Sequence, residues 1–396
     1  MASLDIPAGF RFSGLASGIK KSGKLDLALI MSDVPASCAG VFTQNKVVAA
    51  PLQITQKNIA AGSCQAILAN SGNANACTGA EGFLLAQKTL ELTARTLKVP
   101  ESLVAIASTG VIGVQMPFEP FKKGLPELVS TLSNDQPVRV AEAIKTTDAF
   151  TKVASACETG EHNYKILGLA KGAGMIHPNM ATMLGFVLSD AQVELGLLQS
   201  ALNNAVMKSF NSITVDGDTS TNDMVLLLAN GCSGDAVITS DSPEAEIFCR
   251  HLDRVLLDLA KMIVRDGEGA TKLVQIKVVG AVDELSARIA ARSVATSALV
   301  KTAFFGEDAN WGRIIAAVGY SGIDLDPERI DISFDQVPVT ENGISTGPEK
   351  EAQATQVLKL AEFVVTINLN QGGGASSYYT SDLSYEYVKI NADYRT

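Results

Sequence analysis

The chain's 396 residues allow two or three ordinary domains or one large intertwined α/β unit, and 46% hydrophobic with 19% charged residues is a globular composition with ample material for a core. A net charge of −10 excludes the basic footprint that nucleic acid requires, and no apolar run approaches the roughly 18 residues that span a bilayer. The start lacks a basic stretch followed by an apolar one, and the six cysteines are scattered without a Cys-x-x-Cys pair, so the expectation is a cytoplasmic protein with reduced, mostly structural thiols. Three histidines, His162, His177 and His251, leave few candidates for a zinc site or a Ser-His-Asp triad. No metal and no cofactor is expected.

In chain order, short extended runs at 10–19, 25–31 and 38–42 alternate with glycines. Residues 65–69 read as a buried strand ending in an Asn/Gly-rich turn at 70–78. Thr78-Gly-Ala-Glu81 fits a capping box, in which a hydroxyl and a carboxylate each satisfy an orphan amide at a helix start. Phe83, Ala86, Leu90, Ala94 and Leu97 then recur at helical spacing, and Pro100 marks the stop. Residues 104–113 form a strand running into a small-residue turn. There Ser108, Thr109 and Gly110 offer hydroxyls and a bare backbone N–H, the parts of an oxyanion hole, although a plain strand-end turn uses the same residues. Lys145-Thr-Thr-Asp148, after a helix-like start, is bland by itself.

Residues 171–186 carry the densest local signal: Lys171-Gly-Ala-Gly-Met-Ile-His-Pro-Asn-Met-Ala-Thr182, then an apolar run. Gly172 and Gly174 permit backbone angles that a Cβ forbids, and Pro178 fixes one dihedral and pushes His177 into an extended conformation. Such a segment can hold the Ala181–Thr182 peptide bond in one tight geometry. A threonine there can attack its own preceding carbonyl, break the chain and emerge as a new N-terminus. Its hydroxyl is a poor nucleophile until a base takes the proton, and the new α-amine, with a pKa of roughly 7.7–8, is such a base. A Gly/Pro loop leading into a buried strand accounts for the same letters.

Leu195, Leu198, Leu202 and Ala205 space a helix. The acidic stretch 213–223 is not a calcium loop, because the sixth and twelfth positions from Asp216 are Thr221 and Leu227 instead of Gly and Glu. A buried strand follows at 224–229, then a long helix faced by Phe248, Leu252, Val255, Leu259 and Ile263, ended by Asp266-Gly267. Glu268 by itself reads as a solvated loop carboxylate. Val274, Ile276 and Val278 alternate as a half-exposed strand, a helix runs over 284–301, and 363–369 alternates as another strand. Trp311 reads as packing, and the tail as frayed.

The order His177-Pro-Asn-Met-Ala-Thr-Met-Leu184 resembles the self-cleavage segment of the ornithine acetyltransferase family, also called glutamate N-acetyltransferase, of arginine biosynthesis. The resemblance runs along essentially the whole chain. Ser108-Thr-Gly-Val-Ile-Gly113 is similar to the family's oxyanion segment, which puts Thr109 and Gly110 in that role. The Thr-Thr-Asp motif puts a substrate-binding hydroxyl on Thr146, and Asp266-Gly-Glu-Gly-Ala-Thr-Lys272 puts a substrate-contacting carboxylate on Glu268. Lys171, Thr182, Asn391 and Thr396 match further substrate positions. Ala309 stands where the family's Asp-Pro-Asn-Trp-Gly-Arg has proline, and Ala149-Phe-Thr-Lys152 departs from a frequent Thr-x-Pro-Lys pattern.

The resemblance implies a layered α-β-β-α type fold shared with self-processing aminopeptidases. It also implies an α chain (1–181) and a β chain (182–396) intertwined in one unit, assembled as two of each. The implied reaction is ping-pong transfer of acetyl from N-acetylornithine to glutamate through an acetyl ester on Thr182; whether acetyl-CoA also serves as donor stays open. A self-processing aminopeptidase or amidase is the rival enzyme. A protease-sensitive linker is the rival without catalysis.

Overall fold

The computed structural model describes residues 4–160, 162–177 and 183–393. Among them the chain forms two β-sheets with helices packed on each, the α/β class expected from the sequence. The first sheet draws strands from both sides of residues 178–182. β1 (Phe10–Leu15), β2 (Leu27–Phe42), β3 (Ser63–Asn73), β4 (Val104–Val111), β5 (Lys152–Thr159) and β6 (Asn163–Lys171) precede that stretch. β7 (Leu184–Ser189) and β9 (Met224–Ala229) follow it, while the two-residue β8 (Ile213–Thr214) belongs to the second sheet. The order is β4-β3-β2-β9-β7-β6-β5, with β1 also paired to β2. β3–β4 and β7–β9 are parallel, and β2–β9 and β6–β7 antiparallel.

β7 and β9 are buried at every position, which is why they read as continuous apolar runs and not as alternating ones. Val187, Val225 and Leu227 pack against α5 (Leu195–Lys208) and α6 (Glu244–Arg265), in a core that also takes in Leu273 and Tyr379 of the second sheet. Phe186, Leu226 and Leu228 point the other way, toward Leu52 of α1 (Ala50–Asn58) and Val140 of α4 (Pro137–Ala143). α2 (Gly79–Leu97) and α3 (Glu119–Ser130) cover Leu29, Leu68 and Ile106.

The second sheet combines β10 (Leu273–Ala281), β11 (Asp331–Phe334), β12 (Val337–Glu341), β13 (Ile344–Ser345), β14 (Glu362–Asn368) and β15 (Gly374–Ser381) with β8, in the order β13-β12-β11-β14-β10-β15-β8. α7 (Glu284–Thr296), α8 (Ala298–Phe305), α9 (Trp311–Gly319) and α10 (Pro348–Leu358) pack on it through Ala291, Val300, Ile314 and Ala354. The tail forms α11 (Tyr385–Asp393). No described helix is long and apolar enough to cross a membrane.

Four local expectations change. The runs at 25–31 and 38–42 are one strand, β2, interrupted by a register shift between Met31 and Ala36. β3 continues through the Asn/Gly stretch to Asn73, because β4 supplies a parallel partner as far as Val111. The capping box does not form: the Thr78 hydroxyl donates to Asn75 Oδ1 at 2.7 Å and makes no cap bond. The helix expected over 284–301 is two, broken at Ser297, whose extended backbone and hydroxyl N-cap α8. The cysteines are all unpaired, and Cys77, Cys157 and Cys232 are exposed, so only Cys38 and Cys64 are buried structural thiols.

Candidate active site

A cavity of about 200 Å³ lies where the ends of β4 and β6 meet the loop between β8 and β9. Six residues singled out from the sequence line it: Thr109, Gly110, Thr146, Lys171, Glu268 and Asn391. They come from 109 to 391 in the chain and converge through the sheet pairings. Ala181, Thr182 and Thr396 lie outside the described residues. The described chain stops at His177 and resumes at Met183, and Leu184 pairs with Lys171 across β6–β7.

The oxyanion candidates sit at the end of β4. Gly110 has φ of +128°, and a Cβ there would lie 2.4 Å from the Gly72 carbonyl carbon and 2.6 Å from the Asn73 nitrogen. Only glycine fits this approach of β4 to β3. Asn222 braces the same end, its amide donating to the carbonyls of Ala74 (2.7 Å) and Ser108 (2.8 Å). The Ser108 hydroxyl is spent on Asn70 Oδ1 at 2.6 Å in the core, which leaves Thr109 as the hydroxyl facing the cavity.

Beneath the cavity is an ion network that the sequence did not announce. Lys152 has no solvent exposure, and its ammonium meets Asp148 Oδ1 at 2.7 Å and the Asp266 carboxylate. Asp148 also accepts the N–H groups of Thr146 (2.9 Å) and Gly172 (2.7 Å), and Asp266 accepts that of Ala149. One buried cation thus fixes the starts of three loops, those carrying Thr146, Lys171 and Glu268. Burial alone would raise the Asp148 carboxyl, but the Lys171 and Lys152 charges hold it well below the usual carboxylate range. Lys20 adds a brace, donating to the Lys145 carbonyl at 2.7 Å, and its own pKa is pushed down to about 8, mainly by burial.

Lys171 is buried at the cavity wall. Burial lowers its pKa, against the pull of Asp148, Asp223 and Glu268. A desolvated ammonium facing a polar cavity is a ready partner for a substrate carboxylate. Glu268 is buried and not solvated as its isolated loop suggested. Its carboxylate closes against Gly174, where a Cβ would meet it at 2.4–2.5 Å, and its Oε2 accepts the Asn391 amide at 2.8 Å. That bond brings α11 onto the site, so the tail is not frayed over the described residues. The Ser384 hydroxyl on the Gly269 carbonyl (2.6 Å) and Asp382 on the Thr271 N–H (2.8 Å) reinforce the contact.

Residues 175–177 are pinned just before the undescribed stretch. Asp216 accepts the N–H groups of Met175 (2.6 Å) and Ile176 (2.8 Å). The Thr219 hydroxyl holds the His177 carbonyl at 2.9 Å. Arg292 donates to His177 Nε2 at 3.1 Å; because a guanidinium only donates, His177 is neutral, with its proton on Nδ1 toward Thr214 Oγ1 at 3.2 Å. Burial and the Arg292 charge lower the His177 pKa accordingly. The sequence offered one hint of these ties, the Asp148/Lys152 spacing of four. Asp266 read as a helix stop and the head of the Glu268 motif, Asp216 as part of a failed calcium loop, and Arg292 carried no signal within its helix.

A buried cation, a buried carboxylate and a strand-end hydroxyl beside a glycine amide suit amino-acid recognition and acyl chemistry. Residues 11–396 match the ArgJ family. The arginine biosynthesis bifunctional protein ArgJ of Syntrophotalea carbinolica is 62% identical over 388 residues, covering 98% of this chain and 99% of its own. The protein of the same name from Geobacter sulfurreducens is 52% identical over 389 residues, covering 98% and 99%. Among solved structures, an arginine biosynthesis bifunctional protein ArgJ chain from Bacillus halodurans is 44% identical, covers 54% of this chain and 100% of its own, and superposes with a TM-score of 0.52. A family match over residues 11–396, with identity sustained at this level over nearly the whole length, makes this chain a member of the ArgJ family.

Proposed function

We propose that the chain cuts itself between Ala181 and Thr182, and that Thr182 then carries acetyl from N-acetylornithine to glutamate in the cytoplasm. The observation that carries this reading is the convergence of Thr109, Gly110, Thr146, Lys171, Glu268 and Asn391 on one cavity, with Leu184, two residues after Thr182, paired to Lys171.

In the transfer, the α-amine of Thr182 takes the hydroxyl proton as Oγ attacks the acetyl carbonyl. The Thr109 hydroxyl and the Gly110 N–H receive the negative charge that develops on the carbonyl oxygen. The amide nitrogen leaves as ornithine, protonated by the α-amine, and an acetyl ester remains on Thr182. Glutamate enters, its amine attacks the ester, and the same groups run in reverse. Both amino acids carry an α-carboxylate, which the Lys171 ammonium can hold in either half-reaction. Glu268, tied to Asn391, faces the cationic side chain of ornithine, and Thr146 contributes a hydroxyl. Enclosure by α11 keeps water from the ester. The two products of the cut, assembled as two α and two β chains, complete the proposal.

Initial rates varied in both substrates test it: parallel double-reciprocal lines are expected, with little ornithine released until glutamate is present. Intersecting lines, or equal ornithine release with and without glutamate, would favour direct transfer or a hydrolase. Acetyl-CoA in place of N-acetylornithine shows whether it is a second donor.

A further inference from the structure

The loop between β8 and β9 ends at Asp223, a carboxyl that no step above uses. Met224, the next residue, donates its N–H to the Met183 carbonyl at 3.1 Å, and Leu184 stands opposite Met224 in the parallel β7–β9 pair. One step back in that register, Asp223 stands opposite Met183, the residue after the nucleophile. From β6 it faces the Lys171 ammonium, from the start of β7 the Met183 N–H, and from its own loop the Ser220 hydroxyl. Its backbone carbonyl accepts the Thr43 N–H at 3.0 Å, beyond the end of β2. The carboxyl is buried, and its Oδ2 has no hydrogen-bond partner among the described residues. A buried polar atom without a partner is costly and calls for a reason. Burial also pushes this carboxyl well above the usual carboxylate range, against the pull of Lys171, which favours its protonated form.

We propose that Asp223 is the acid that protonates the departing backbone nitrogen of Thr182 during self-cleavage, an inference that rests on the self-cleavage reading above. An amide nitrogen does not leave as an anion. As Thr182 Oγ bonds to the Ala181 carbonyl carbon and the C–N bond breaks, the Asp223 proton passes to nitrogen, and the threonine hydroxyl proton returns to the Asp223 carboxylate. The product is an ester on Thr182 with a free α-amine. Water then breaks the ester, restores the hydroxyl and leaves Ala181 as a carboxylate, its proton taken up by the new amine. The Met183 N–H, one residue along the chain from the nitrogen to be released, bonds the Asp223 carboxyl.

The test follows the full chain, freshly refolded from urea, by denaturing gel over time and across about pH 6 to 10. Wild type is expected to be cut, with a rate that falls as pH rises through the raised pKa of Asp223, because the acid form is then lost. Asp223→Asn keeps the shape without a transferable proton, and its cutting is expected to slow at least about 10²-fold. Its residual rate should lack the alkaline fall, while its circular dichroism and unfolding midpoint match those of uncut Thr182→Ala. Cutting of Asp223→Asn at the wild-type rate would overturn the proposal. So would an alkaline fall that persists in that variant, which would assign the proton to Lys171. If Asp223→Asn does not fold, the wild-type profile still decides: no alkaline fall there overturns the role of Asp223. A wild type that is never cut would instead remove the self-cleavage reading itself.

Discussion

Lys152 reaches no water, and its ammonium lies between Asp148 and Asp266, the residues that anchor the Thr146, Gly172 and Ala149 amides. Replacing it by methionine leaves two buried carboxylates without their cation, which should cost about 3–5 kcal/mol in urea unfolding. Lys152→Met with Asp148→Asn and Asp266→Asn together should recover much of that loss; a single mutant as stable as wild type would show that the network carries little. Thr109→Ala should slow acetyl transfer by roughly 10²–10³-fold with a much smaller change in KM, since an oxyanion donor acts mainly as charge develops. Near-normal turnover in a folded Thr109→Ala protein would make this strand end purely structural. At this scale the sequence was most legible where a motif marks a residue directly, as at Thr109, Lys171 and Glu268. It offered no more than a spacing of four between Asp148 and Lys152 and a helix stop at Asp266, because their role depends on which loops the fold brings together.

Elements hold the two halves of the site in register. α8 places Lys301 under the end of β15, where its ammonium donates to Thr380 Oγ1 at 2.9 Å, to Ser381 Oγ at 3.2 Å and to the Ser381 carbonyl. The next residue, Asp382, grips the Thr271 and Lys272 amides, and α11 with Asn391 follows. Burial pushes the Lys301 pKa down to about 7. The unfolded lysine keeps its proton to about pH 10.4, so between about pH 7 and 10 the unfolded state binds more protons and stability rises with pH. The urea midpoint of wild type should therefore climb more steeply from pH 7 to 9 than that of Lys301→Met; equal slopes would contradict the burial of a charge there. The same region shows why element boundaries were less legible than element types. Periodicity carries the helical signal unbroken from 284 to 301, whereas the break at Ser297 depends on a backbone turn and a cap that periodicity does not encode. The capping box at Thr78 failed locally, because Asn75, three residues back in the chain, takes the hydroxyl first.

Across the whole molecule, the proposed cut would divide the strands of one sheet between two products. β7 and β9 follow it, yet they pair with β6 and β2, which precede it, and all four are largely buried. After cleavage the two products should co-elute in gel filtration and separate only in denaturant; fragments that part in neutral buffer would contradict this topology. The runs that form these strands were readable one by one. Their partners were not, because a buried apolar run reports that it is covered without naming what covers it.

The proposed transfer passes through an acetyl ester on a threonine that self-cleavage has made N-terminal. Mass spectrometry of the purified protein, denatured in acid seconds after mixing with N-acetylornithine and no glutamate, tests it most directly. The predicted result is a fragment beginning at Thr182 and heavier by one acetyl group, with the added mass lost once glutamate is supplied before quenching. A single intact chain that is fully active, or steady turnover with no acetyl on the Thr182 fragment, would contradict the account.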